Sequence, residues 1–89
     1  MNLERLSVVK NKELIFIFTA NPVDYYDTAL GYMELAEILG RPVASVRNSV
    51  SSIRKYNKTH RKNKKELIVK DKDGNKYLLI TENEMKEGK

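Results

Sequence analysis

The sequence predicts a mainly α-helical domain with a small β-hairpin, in which a three-helix core is followed by a two-stranded ribbon. Two stretches with apolar residues at helical spacing meet across Gly40-Arg41-Pro42, where one helix would stop and another start. Two β-rich runs, Leu67-Ile68-Val69 and Tyr77-Leu78-Leu79-Ile80, flank Asp73-Gly74, a strong hairpin signal. The chain has 89 residues, which is one domain. A chain of this size buries only about 60–65% of its unfolded surface, so its stability is modest. The expected division is an N-terminal extension at 1–12, a helix pair within 32–57, the hairpin at 66–81 and a polar tail at 82–89.

The elements follow in order. Leu3, Leu6 and Val9 mark one side of a helix. Leu14-Ile15-Phe16-Ile17-Phe18 is a continuous apolar run that periodicity alone cannot assign. Asn11 as N-cap and Asn21-Pro22 as a stop favour a helix there. Residues 21–31 read as a connection, with a short strand at Thr28-Ala29-Leu30. Met33, Leu35 or Ala36, and Leu39 then recur at helical spacing, and Gly40 is placed to end that helix in a left-handed conformation. Pro42 suits the first turn of the next helix, which runs to about Tyr56 with Val43, Val46, Val50, Ile53 and Asn57 on one side. Residues 59–65 form a polar, basic connector, and the tail after the hairpin is expected to fray.

Charge is segregated along the chain. The net charge is +5, yet residues 38–65 contain no Asp or Glu, so all 12 acids lie elsewhere. That window holds Arg41, Arg47, Arg54, Lys55, Lys58, Arg61, Lys62, Lys64 and Lys65, which favours a basic face and an anionic partner. The absence of cysteine excludes disulfides and thiolate zinc sites and fits a reducing compartment. The N-terminus lacks a signal-peptide pattern, and the longest apolar run is too short to span a bilayer. A cytoplasmic, nucleoid-associated location is expected. The polar tail leaves open whether the chain is the first domain of a longer protein, such as a restriction endonuclease or a mobile-element protein.

The residues L35-A36-E37-I38-L39-G40-R41-P42-V43-A44-S45-V46-R47-N48-S49-V50, followed by a hairpin, resemble a winged helix-turn-helix domain. The resemblance covers roughly residues 13–82. It implies Ala36 as the small residue where the helices touch, Gly40 in the turn, and Val46 and Val50 as anchors of the second helix. It further implies double-stranded DNA as the partner, with the second helix in the major groove and the hairpin as a wing.

A helical projection supports this. Opposite Val46, Val50 and Ile53 lie Arg41, Ala44, Ser45, Asn48, Ser51, Ser52 and Lys55, flanked by Arg47 and Arg54. Small polar residues permit close approach to base edges, and marginal cations reach phosphates. Asn48 is the first candidate for a base contact, joined by Arg47, Ser51, Ser52 and Ala44. The phosphate candidates are Arg41, Ser45, Arg54, Lys55, Lys58, Arg61, Lys62, Lys64 and Lys65, with Lys72 and Lys76 from the wing. Asp71 and Asp73 would oppose that wing contact. Against this stands the plain alternative of a solvated helix face and a flexible, soluble loop.

Other chemistry finds little support. The loop around Asp73 has its Gly at the wrong offset for a calcium loop and no Glu at the last ligand position. His60 is the single histidine, with neither Cys nor paired carboxylates near it. No nucleophile elbow, zinc-protease or P-loop motif is present. No catalytic residue, cofactor, metal or small-molecule ligand is expected. Tyr25 and Tyr26 either contact a partner or pack a loop onto the core. The N-terminal apolar segment, with Leu3, Leu6 and Phe16, supplies either a homodimer interface or a core helix. The second functional reading is a module that binds an acidic protein partner.

Overall fold

The computed structural model describes residues 6–87. Its elements are β1 (Ser7–Asn11), β2 (Leu14–Thr19), a 3-10 turn (Val23–Asp27), α1 (Ala29–Leu39), α2 (Val43–Thr59), β3 (Ile68–Lys70), β4 (Lys76–Thr81) and α3 (Glu82–Glu87). The strands form one mixed sheet in the order β1-β2-β4-β3, with β2 and β4 parallel and both outer pairs antiparallel. The domain is therefore α+β, and the expected mainly α winged helix-turn-helix with a three-helix core is incorrect.

The error lies in the first 20 residues. Ile15 to Phe18 are β-branched and aromatic, which suits a pleated strand. The run is continuous because β2 is a central strand with apolar residues on both faces. Ile17 and Thr19 are buried under the helices, while Phe16 and Phe18 point to the other face and stay partly exposed. Asn11 ends β1 and caps no helix; Lys12, at φ 58°, turns the chain into β2. Phe16 is thus a sheet residue and Leu6 packs against the core, whereas Leu3 lies outside the described residues.

Thr28 to Leu30 is also not a strand. The Thr28 hydroxyl accepts a hydrogen bond from Gly31 N–H at 3.0 Å and caps α1, into which Ala29 and Leu30 fall. Gly31 is required there, since a Cβ at that position would sit 2.0 Å from the Tyr25 carbonyl oxygen. At the other end Gly40 has φ 67°, and the N–H groups of Gly40 and Arg41 both donate to the Ala36 carbonyl. Pro42 is the N-cap of α2 rather than part of its first turn, and the helix continues to Thr59.

The core joins one sheet face to the two helices. Ile17, Val69 and Leu79 meet Tyr26, Tyr32, Leu35, Ala36, Leu39, Val46 and Val50. Tyr26 stitches the parallel pair, donating its hydroxyl towards the carbonyls of Ile17 at 2.5 Å and Ile80 at 2.7 Å. Val43, expected on the inner side of α2, is 42% exposed because it precedes the first turn that reaches the sheet. The tail does not simply fray, because residues 82–87 form α3 against β2 and β4.

Candidate nucleic-acid interface

Burying Val46 and Val50 turns the polar side of α2 outward. Ala44, Arg47, Asn48, Ser51 and Ser52 are all exposed on that side, and Lys55 and Lys58 continue it towards the C-terminus. Ser45 is half-buried at its margin. Exposed Val43 adds an apolar group next to Ala44, which the expected inward placement had hidden.

Two predicted phosphate contacts are already engaged within the chain. Arg41 is half-buried and donates to the Lys70 carbonyl at 2.9 Å and the Ser49 hydroxyl at 3.4 Å, bracing the interhelix turn against β3. Arg54 donates to the Val23 carbonyl at 3.1 Å, and its Nε lies 4.0 Å from the Asp27 carboxylate. The window that lacks acids in sequence thus acquires one in space. Asp27 also accepts a hydrogen bond from the Tyr32 hydroxyl. Burial, followed by that bond to Asp27, pushes the Tyr32 phenol up to about 12.

The basic connector is folded back rather than extended. Asn57, on the inner side of α2, donates from Nδ2 to the Lys65 carbonyl at 3.1 Å and accepts from Lys65 N–H at 2.8 Å. Asn63 N–H donates to the His60 carbonyl at 3.0 Å. The Tyr56 ring stacks on His60 with centroids 3.8 Å apart, and Lys65 Nζ sits 4.3 Å from the Tyr56 centroid. His60 is therefore a cap and stacking residue. Arg61 and Lys64 are carried back beside Ser51, Arg54, Lys55, Asn57 and Lys58, and with Asp27 these line an open concavity of about 820 Å³. Lys62 is exposed in the same connector.

The expected hairpin forms from β3 and β4. The loop between β3 and β4 is closed on Asp71, whose carboxylate accepts from Asp73 N–H, Asn75 N–H, Asn75 Nδ2 and the Tyr77 hydroxyl. Partial desolvation raises that carboxyl's pKa, but the donors outweigh it and hold it at about 2. Lys72 N–H donates to the Leu39 carbonyl at 3.0 Å, and its side chain lies over Gly40. Lys72 thus joins Arg41 near the N-terminal end of α2. Lys76 pairs with Lys70 across the hairpin and lines a surface hollow with Lys10 and Lys12.

Tyr26 is fully buried and Tyr25 bonds Glu34, so this pair packs the 3-10 turn onto the domain. Among the described residues no helix is long and apolar enough to cross a membrane. No known protein family, curated protein or solved structure matches the chain.

Proposed function

We propose that the domain binds double-stranded DNA by laying the outer face of α2 in the major groove, as a transcriptional regulator or as the recognition module of a larger protein. One observation carries this reading: the exposed face of α2 is small and polar along its centre line, with cations along its margins and at both ends. Ala44, Asn48, Ser51 and Ser52 form that line, with Arg47 and Lys55 beside it; Arg41 and Lys72 stand near one end, Lys58, Arg61 and Lys64 near the other. A helix of 17 residues is about 25 Å long, which exceeds the groove width of about 12 Å. Its two ends can therefore meet the phosphates of both strands while its middle meets base edges.

The roles divide by chemistry. Asn48 offers a bidentate amide to adenine, Arg47 a guanidinium to guanine, and Ser51 and Ser52 adaptable hydroxyls. Val43 and Ala44 present methyl groups suited to thymine. Lys55, Lys58, Arg61, Lys62 and Lys64 supply sequence-independent attraction. Arg41 acts chiefly as a brace, since its guanidinium is already bonded.

The test is fluorescence anisotropy with a randomised duplex at two salt concentrations, with selection for enriched sequences from the same pool. Salt-sensitive binding with an enriched motif supports a sequence reader. Binding without a motif indicates an architectural binder. No binding at low salt overturns the proposal and favours an acidic protein partner.

A further inference from the structure

We propose that the concavity at the C-terminal end of α2 is a preformed seat for a single phosphate group, and that Asp27 tunes its affinity. The inference rests on the DNA reading only for the source of that phosphate. Arg54, Lys55, Lys58, Arg61 and Lys64 line one open hollow of about 820 Å³, with Asp27 as the single carboxylate in its wall. Five cations and one acid leave an excess of positive charge, and a phosphate oxyanion supplies what is lacking.

Arg54 and the connector backbone are held in place before any ligand arrives. Arg54 is held by the Val23 carbonyl and Asp27, and its buried Nε has no hydrogen-bond acceptor among the described residues. Its side chain remains 30% exposed and still lines the hollow. The paired bonds between Asn57 and Lys65 fold the connector so that Arg61 and Lys64 face Arg54. Because these groups are already gathered, binding forfeits less side-chain and loop freedom than binding by a flexible arm. Asp27 weakens the attraction by partial neutralisation, so the hollow holds a phosphate without trapping it.

The ligand chemistry is shared by a DNA backbone phosphodiester and a free phosphate, and NMR titration of the full chain separates them. Inorganic phosphate is expected to shift Arg54 Nε–H and the amides of Ser51, Lys58 and Arg61 along saturating curves. A short duplex is expected to shift the same signals together with those of Ala44 and Asn48. Arg61→Gln with Lys64→Gln, both at exposed positions, should abolish saturation by phosphate. That pair should also weaken duplex binding about tenfold and flatten the salt slope by about one to two. Asp27→Asn should tighten phosphate binding severalfold. Linear phosphate shifts spread over all lysines would overturn the seat. A duplex that shifts Ala44 and Asn48 but leaves Arg54 and Arg61 unmoved would overturn the DNA backbone as the source of that phosphate, although the DNA reading itself would stand. A saturating phosphate response with no duplex response would keep the seat and overturn the DNA reading.

Discussion

The Asn57 side-chain amide clasps the Lys65 backbone through two hydrogen bonds, donating to its carbonyl and accepting from its N–H. This clamp makes the basic connector part of the α2 surface. Asn57→Ala should cost about 1–2 kcal/mol, since each such bond is worth about 0.5–1.5 kcal/mol net. Urea unfolding measures the loss, and faster hydrogen exchange at Lys65 N–H would locate it. Duplex binding should weaken a few fold as the connector loosens.

Asn48→Ala should cost about 1–3 kcal/mol at an enriched site and relax specificity at one position. Lys62→Gln with Lys64→Gln should weaken binding to every sequence alike and reduce its salt dependence. Anisotropy with enriched and random duplexes separates the two outcomes. Identical behaviour of both variants would refute the division between base reading and phosphate contact.

Gly31→Ala should be among the most damaging single changes. The new Cβ would meet the Tyr25 carbonyl at 2.0 Å, and both α1 and the 3-10 turn would have to move. Overpacking of this kind costs about 1–3 kcal/mol and occasionally more. Gly74→Ala has nothing within 4 Å and meets only the strain of φ +90°. Thermal unfolding of the two variants compares clash with strain directly.

Tyr26→Phe should cost about 1–3 kcal/mol, because it withdraws a donor from two carbonyls in the parallel pair. It should also alter the alkaline limb of stability. Burial raises the phenol pKa of Tyr26 and of Tyr32 above the ordinary value near 10. Stability from such groups is complete below about pH 10 and is lost as pH rises through the folded pKa. Urea unfolding at neutral and alkaline pH should show a shallower alkaline decline in Tyr26→Phe.

The acid limb reports on the loop between β3 and β4. The folded pKa of Asp71 is about 2, below the ordinary value of about 3.9. Its contribution is therefore present above about pH 4 and lost as pH falls towards 2. Asp71→Asn should flatten acid unfolding over that interval, as followed by circular dichroism.

The helix pair was legible because its signals are local. Gly40 stops α1, the proline-led turn starts α2, and the spacing of Val46 and Val50 orients the outer face. Ala44, Arg47, Asn48, Ser51 and Ser52 are exposed for that reason. The first 20 residues mislead because a central strand with two apolar faces loses the alternation that identifies strands. The parallel pairing of Phe16 with Leu78 is a long-range partnership without a local signature. The parts of Asp27 and Asn57 in the site have no sequence signal for a related reason. Only the fold brings Asp27 to Arg54, and Asn57 works through a backbone that lies beyond a turn.

The same parallel pairing governs how the domain is made. β2 is synthesised early, but its partner β4 comes from the far end of the chain. The helices and the β1-β2 hairpin rest on local contacts and can form while translation continues, whereas the sheet cannot close until β4 has left the ribosome. Until then one edge of β2 has no strand beside it, and the nascent chain is open to edge-to-edge aggregation. Completion of the domain thus waits on its last strand, and the rate of that closure is set by topology rather than by helix propensity.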